Sequence, residues 1–248
     1  IAWGIAQMLS THGAELAFTY QGEALGKRVK PLAESVGSSL VIPCDVEDIA
    51  SVDAVFAELG AKWGKLDFVV HAIGFSDKNE LKGRYADTTR ENFARTMVIS
   101  CFSFTEIAKR AAAMMPDGGS LLTLTYGGAN RVSPNYNVMG VAKAALESSV
   151  RYLAADFGRE GIRVNAISAG PVRTLAGAGI TDARFTYAWQ TKHSPLGRPI
   201  TLEELGGSAL YLLSSLSGGV TGEIHYVDSG YSIMKMPRAS EVKDESGE

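Results

Sequence analysis

The chain has 248 residues, 46% of them apolar and 21% charged, which is typical of one large α/β domain with an ample core. The formal charge is −3, whereas a nucleic-acid-binding protein would be expected to have an excess of basic residues. No apolar run is long enough to span a membrane. The four histidines are far apart without metal-ligand spacing, so we expect no metal site. Cys44 and Cys101 stand in apolar surroundings and are expected to be buried free thiols, as in a reducing compartment.

Apolar periodicity predicts alternating helices and strands. The predicted strands are residues 15–20, 39–44, 66–71, 120–125, 163–168 and 223–227. The predicted helices are residues 1–12, 23–36, 49–63, 89–115, 137–157 and 201–215. This alternation predicts a Rossmann-type fold, a doubly wound parallel sheet with helices on both faces in three α/β/α layers.

The ends of the chain carry two further expectations. A helix at residue 1 is unusual in a sheet built from βα units, so we expect a first strand and a glycine-rich turn to precede Ile1. No GxGxxG fingerprint occurs in the sequence. Residues 1–236 are predicted to form a single domain, and residues 237–248, rich in charged and small residues, a flexible tail.

Residues 126–143 carry the strongest indication of chemistry. Tyr126 directly follows the strand at 120–125, and Tyr136 stands where the next helix begins. Lys143 lies two turns into that helix, roughly 10 Å along its axis, and leans back toward the tyrosine end. Open α/β sheets bind ligands at the carboxyl ends of their strands. The pattern therefore predicts a phenol acid with an orienting cation, rather than two surface side chains.

This segment resembles the short-chain dehydrogenase/reductase superfamily, specifically its divergent branch of bacterial enoyl-acyl-carrier-protein reductases. Ordinary members place the lysine four residues after the tyrosine, where this chain has Gly140; here Lys143 follows seven residues after Tyr136, and a second tyrosine stands ten residues upstream. The run Ser168-Ala-Gly-Pro171, followed by Val172-Arg-Thr-Leu175, matches the same branch. The resemblance extends from Ile1 to about Met234.

The resemblance implies an activity and partners. It implies an NADH-dependent reductase of type II fatty acid biosynthesis that reduces the trans-2 double bond of an enoyl thioester on acyl carrier protein, as a cytoplasmic homotetramer. Tyr136 would donate a hydrogen bond to the enolate oxygen, and Lys143 would hold the cofactor ribose. Tyr126 and Ser76 would face the substrate. Protonation of the enolate by Tyr136 or by water stays open.

The resemblance also implies the cofactor-binding residues, several of which have a plainer interpretation. They are Ile1, Gln21, Asp45, Val46, Ile73, Gly74, Lys143, Val172, Arg173, Thr174, Leu175 and Ala176. Asp45 alone would be read as a turn residue, whereas in the family the matching pair, Asp45-Val46, holds the adenine. The small residues at 169–180 form either a loose loop or, as we favour, a lid over the cofactor and acyl chain. At the end of the second strand, Gln21 is a neutral amide that cannot neutralise a 2′-phosphate, which favours NADH over NADPH; Lys27 and Arg28 lie further along.

Two other functions stay open. One is a carbonyl reductase or alcohol dehydrogenase of the same superfamily, against which Gly140 argues because it occupies the usual lysine position. The other is a catalytically silent Rossmann protein that senses a dinucleotide, which would not need both Tyr136 and Lys143. Turnover of NADH with a crotonyl thioester separates all three.

Overall fold

The computed structural model of the protein describes residues 1–172 and 183–236, and in these ranges strands and helices alternate. The strands are Ala17–Tyr20 (β1), Leu40–Pro43 (β2), Phe68–His71 (β3), Gly119–Thr125 (β4), Ile162–Ala169 (β5) and Ile224–Val227 (β6). The helices are Ala2–Thr11 (α1), Gly22–Ser35 (α2), Ile49–Trp63 (α3), Arg90–Met97 (α4), Ser103–Ala112 (α5), Asn137–Phe157 (α6), Ala183–His193 (α7) and Leu202–Leu213 (α8).

The pairings between described strands are all parallel. β1 pairs with β2, and the other four strands form a second sheet in the order β3-β4-β5-β6. The longest pairing joins β4 to β5, from Gly119 opposite Ile162 to Thr125 opposite Ser168. Within the described ranges, no hydrogen-bonded ladder connects β1 to β3. The expectation that a strand precedes Ile1 stays a prediction.

Two apolar cores cover the two faces of the strands, and adjacent residues of β4 point into different cores because side chains alternate along a strand. Leu121 belongs to the core beneath α3, α5 and α6, and Leu122 to the core beneath α1 and α8. β2 adds Leu40 and Ile42 to the first core. Helices therefore cover both faces of the parallel strands, which confirms the predicted α/β fold with three layers.

The helix predicted at residues 89–115 is the clearest departure from the sequence expectation. It consists of α4, a π-helical turn at Val98–Phe102 and α5, and it ends at Ala112. Within the wide turn, Ser100 Oγ donates to Phe75 O (2.9 Å) and accepts from Phe75 N (2.8 Å). The prediction of one continuous α-helix over residues 89–115 was therefore wrong. The π-helical turn is accompanied by contacts with a distant loop, which the spacing of apolar residues does not reveal.

The other helix ends follow local sequence signals. Thr201 and Glu204 form the predicted capping box at the start of α8, and Asp48 caps α3 through Ala50 N. Helix α7 falls in a stretch where the sequence indicated no regular element. None of the described helices is long and apolar enough to cross a bilayer. The predicted tail lies outside the described residues, and the division into one domain and a tail stays a prediction.

Candidate active site

The carboxyl ends of β3 and β4 lie side by side, since His71 pairs with Thr123 in parallel register. The loops that follow carry Ile73 and Gly74 after β3, and Tyr126 after β4. A Cβ atom added to Gly74 would lie 3.8 Å from Lys143 Nζ and 3.5 Å from Met139 Cε. The fold therefore brings Gly74, from the loop after β3, close to Lys143 on α6.

Tyr126 and Tyr136 are in direct contact. Their rings meet edge to face with centroids 5.1 Å apart and an interplanar angle of 71°. Two glycines make room for this arrangement. A Cβ at Gly128 would lie 2.6 Å from the ring of Tyr136, and a Cβ at Gly140 would lie 2.8 Å from Gly128 O. Any side chain at position 140 would therefore collide with backbone.

Tyr136 is the N-cap of α6 and only 7% exposed. Burial raises the pKa of its phenol well above the ordinary value, and Tyr126 adds to the shift. The phenol therefore keeps its proton throughout the physiological range, and it is available as a hydrogen-bond donor.

The hydroxyl of Tyr126 is held by another element. Gln190 on α7 donates from Nε2 to Tyr126 Oη at 2.8 Å. Burial raises the pKa of Tyr126, while hydrogen bonds with Ser133 and Gln190 oppose the shift. Because Gln190 donates, the hydroxyl proton of Tyr126 is not used in this contact.

Lys143 is a buried cation, 6% exposed, on the same helix as Tyr136. Its Nζ donates to Leu124 O at 2.9 Å. This is its one hydrogen bond to the described residues, so two of its three N–H groups remain for other acceptors. Burial lowers the pKa of Lys143 to about 8, against the opposing influence of Cys101 and Glu147. A buried ammonium with spare donors fits the hydroxyls of a ribose.

Glu147 is a second buried charged residue, one turn beyond Lys143 and 5% exposed. Thr125 Oγ1, at the end of β4, donates to its Oε1 at 2.8 Å. Burial raises the pKa of Glu147, and hydrogen bonds from Thr125 and Asn130 and the charge of Arg151 oppose this. The chain thus buries one cation and one carboxylate beside the end of β4.

His71 lies close to these groups but has a structural role. Its Nδ1 and Nε2 lie 2.9 Å from Thr123 Oγ1 and from Ser103 Oγ, and its ring packs on Phe104. Burial and the nearby Lys143 lower the pKa of His71 to about 3, so the imidazole is neutral. Within residues 1–172 and 183–236, no group of three His, Cys, Asp or Glu side chains could hold a metal ion.

The residues predicted to bind the adenosine end lie after β1 and β2. Gln21 Nε2 donates to Asp45 Oδ2 at 3.4 Å, a long and solvent-exposed contact. Asp45 Oδ1 also accepts from Glu47 N (3.0 Å), so Asp45 does form a turn as well. Val46 is buried, whereas Ile1, Ile73 and Val172 are half-buried. Arg173, Thr174, Leu175 and Ala176 lie outside the described residues, as do residues 173–180 of the predicted lid, which stays a prediction.

Ser76, predicted to lie near the substrate, is in the loop after β3 and belongs to a polar network with residues of α4. Its Oγ accepts from Thr96 Oγ1 at 3.0 Å and from Asn92 Nδ2 at 3.2 Å. Asn92 also accepts from Asp77 N at 3.0 Å. The network ties the loop after β3 to α4, and the role of Ser76 toward substrate stays a prediction.

Comparison with known proteins gives a consistent answer. A family model described as enoyl-(acyl carrier protein) reductase matches residues 1–232. The chain belongs to this family. A relative from Rhizobium meliloti, named enoyl-[acyl-carrier-protein] reductase [NADH] 2, is 76% identical over 237 residues, which are 96% of this chain and 88% of the relative.

Two solved structures of enoyl-acyl-carrier-protein reductases superpose closely. That from Anaplasma phagocytophilum, in complex with NAD, has a TM-score of 0.92 and 58% identity, and the match covers 96% of this chain and 91% of that one. That from Bacillus cereus, with NADP⁺ and indole naphthyridinone, has a TM-score of 0.93 and 48% identity, with 95% and 92% covered. Membership of the enoyl-acyl-carrier-protein reductase family confirms the resemblance seen in the sequence.

Three residues of this family member escaped the sequence analysis. Glu147 could have been found, because it follows Lys143 by four residues and shares a helix face with it. Gln190 meets Tyr126 across 64 positions, which no local pattern indicates. Arg95 forms two 2.8 Å hydrogen bonds with Glu47 and lies 4.5 Å above the ring centroid of Phe75. It thereby links the loops after β2 and β3.

Proposed function

We propose that the protein reduces the trans-2 double bond of an enoyl thioester on acyl carrier protein, with NADH as the reductant. The observation that carries this proposal is the buried pair on α6: Tyr136 and Lys143, seven residues apart, with backbone in the way of any side chain at Gly140. The family to which the chain belongs supports the same activity.

NADH, when bound, would supply a hydride to the β-carbon of the substrate, and a proton from Tyr136 or from water would complete the reduction at the α-carbon. Negative charge then builds on the thioester oxygen, and a donor aimed at that oxygen lowers the barrier because it binds the transition state more strongly than the ground state. Tyr136 is the donor. Its raised pKa keeps the phenol protonated, and its burial removes water that would compete for the developing charge.

Lys143 holds the cofactor in this scheme. Its bond to Leu124 O fixes the ammonium, and its two remaining N–H groups serve the ribose hydroxyls. Gly74, whose missing side chain leaves its backbone open close to Lys143 Nζ, lets the cofactor approach the loop after β3. Gln21, Asp45 and Val46 are assigned to the adenosine end, and Ile1 and Ile73 to the cofactor without a specified part.

The remaining assignments rest on resemblance. Tyr126 and Ser76 face the substrate, and Val172, Arg173, Thr174, Leu175 and Ala176 line the cofactor; residues 173–176 fall outside the described part. The homotetramer also rests on resemblance, and exposed apolar side chains on α4, α6 and the π-helical turn support self-association: Phe93, Val98, Phe102, Val141 and Tyr152. Light scattering coupled to gel filtration tests the tetramer. A cytoplasmic location stays a prediction.

The superfamily alternative, a carbonyl reductase or alcohol dehydrogenase, is disfavoured by the spacing of Tyr136 and Lys143 and also by the packing around Gly140. A lysine at position 140 would have its Cβ 2.8 Å from Gly128 O. A silent sensor of dinucleotides could use Lys143 to hold a ribose but would have no need for the buried phenol of Tyr136 as well.

The deciding experiment mixes the protein with NADH and crotonyl thioester and follows the absorbance of reduced nicotinamide. We expect oxidation of NADH that depends on the enoyl double bond, with butyryl thioester as the unreactive control. Oxidation with a ketone or aldehyde substrate but not with crotonyl thioester would favour the carbonyl reductase. Binding of NADH with no turnover of either substrate would favour the sensor.

A further inference from the structure

Glu147 is a buried carboxylate that the mechanism above does not use. It lies on α6, one turn beyond Lys143, and is 5% exposed. A buried charge costs free energy unless hydrogen bonds and an opposite charge compensate for it. The residues around Glu147 therefore indicate what it does.

Glu147 and Lys143 bind consecutive residues at the end of β4. Lys143 Nζ donates to Leu124 O at 2.9 Å, and Glu147 accepts from Thr125 Oγ1 at 2.8 Å. The next residue along the chain is Tyr126. Two oppositely charged side chains of one helix thus fix the strand end from which the tyrosine loop begins.

Burial raises the pKa of Glu147, and its neighbours oppose that shift by favouring the ionised form. Thr125 and Asn130 donate hydrogen bonds to it, and Arg151 lies one further turn along α6. From β6, Tyr226 Oη accepts from Asn130 Nδ2 at 2.6 Å. Burial, followed by the charge of Glu147, raises the pKa of Tyr226, so that phenol stays neutral. Donors and a cation surround the carboxylate, as expected for a negative charge.

In the described part of the chain, Cys101 and Glu147 are the two groups whose negative charge would raise the pKa of Lys143, and near neutral pH only Glu147 carries such a charge. From the π-helical turn, Cys101 is a thiol whose pKa burial raises, so it is neutral. From β3, His71 is neutral because burial lowers its pKa to about 3. At the start of α6, Tyr136 keeps its proton because burial raises its pKa.

We propose that Glu147 is a positioning residue that acts on the cofactor site through Lys143, balancing the buried ammonium while its bond to Thr125 fixes the end of β4. This inference rests on the proposed function, because it gives Lys143 the task of holding the cofactor ribose. Without the carboxylate, the ammonium would lose its proton at a lower pH, and the cofactor would lose a charged donor.

Two variants separate the charge of Glu147 from its hydrogen bond. Glu147→Gln keeps an oxygen that accepts from Thr125 but removes the charge. Thr125→Val removes the hydroxyl donor but keeps the charge. The dissociation constant of NADH is measured by fluorescence against pH for each protein. Nitrogen NMR of lysine-labelled protein without cofactor reads the titration of Lys143, assigned as the resonance missing from Lys143→Met.

For the unmodified protein, we expect NADH to bind more weakly as the pH rises through about 8, where Lys143 loses its proton. In Glu147→Gln, the midpoint of both the binding curve and the NMR titration should fall by about one pH unit, the scale on which a charge one helical turn away acts. Affinity near neutral pH should change less than affinity above the midpoint. Thr125→Val should lower the Tm and leave both midpoints unchanged.

Equal midpoints in Glu147→Gln and the unmodified protein would overturn the inference. Equal shifts in both variants would also overturn it, because the carboxylate would then act only as a structural anchor. If the unmodified protein binds no NADH, the proposed function fails instead, and the NMR titration still decides whether Glu147 holds the proton on Lys143.

Discussion

The two ends of the candidate cofactor cleft differ in how they hold their polar groups. At the catalytic end, Tyr136 and Lys143 are at most 7% exposed, and Lys143 binds Leu124 O at 2.9 Å. At the adenosine end, Gln21 is exposed and reaches Asp45 only at 3.4 Å. Water competes with every contact of the exposed end, whereas electrostatic interactions at the buried end are strong. We therefore expect substitutions to matter most at the catalytic end.

The largest effect is expected from Tyr136→Phe. Loss of one donor to a developing oxyanion costs roughly 10²–10³-fold in kcat. The NADH dissociation constant should stay nearly unchanged, because the hydroxyl meets charge only as the enolate forms. Steady-state kinetics and NADH fluorescence measure the two quantities, with Tyr126→Phe as the neighbouring control, for which a smaller loss is expected. Full turnover in Tyr136→Phe would remove this residue from the mechanism.

Lys143→Ala should weaken both NADH binding and turnover. Hydrogen bonds to charged groups contribute about 1.5–3 kcal/mol, so the dissociation constant should rise by roughly tenfold to a hundredfold. Lys143→Arg keeps the charge but changes the shape of the donor, and it should recover only part of the affinity. The measurement is a fluorescence titration with NADH. If turnover falls while the dissociation constant stays the same, Lys143 does not hold the ribose.

Gln190→Met tests the contact between α7 and Tyr126. The variant keeps the length of the side chain but removes the donor, and a net hydrogen bond contributes about 0.5–1.5 kcal/mol. We expect kcat/KM for the enoyl substrate to fall by roughly two- to tenfold. Arg184→Met, at an exposed position of the same helix, is the matched control. Equal losses in both variants would mean that Tyr126 does not depend on Gln190.

The smallest effect is expected at the exposed end, in the choice of cofactor. Gln21 is neutral and cannot pair with a 2′-phosphate, so NADH should be preferred to NADPH by about one net hydrogen bond, roughly five-fold in kcat/KM. Kinetics with both cofactors at one enoyl substrate measure the ratio. A preference for NADPH would show that Lys27 or Arg28 reaches the ribose, and Lys27→Met and Arg28→Met would then identify which.

The sequence predicted the strands and helices that bury a continuous apolar face. Burial of one face requires apolar residues at the period of the helix or strand, and this spacing is visible in the sequence. β4, which Tyr126 follows, and α6, which Tyr136 caps and which carries Lys143, were predicted within one residue at each end. Glu147 was overlooked because an acidic residue inside a helical pattern usually faces solvent. Gln190 and Arg95 depend on contacts across 64 and 48 positions, which only the folded chain brings together.

The π-helical turn at Val98–Phe102 sets the rotational phase of α5 relative to α4. One residue corresponds to about 100° of rotation around a helix axis. Deleting a single residue here would leave an ordinary α-helix, but α5 would then be rotated about the helix axis relative to α4. The deletion would break either the contact of Thr96 with Ser76, in the loop after β3, or the contact of Ser103 with His71, the last residue of β3. This five-residue turn therefore fixes the rotation of α5 relative to α4. Insertion or deletion of a single residue should be tolerated far less here than in the loops.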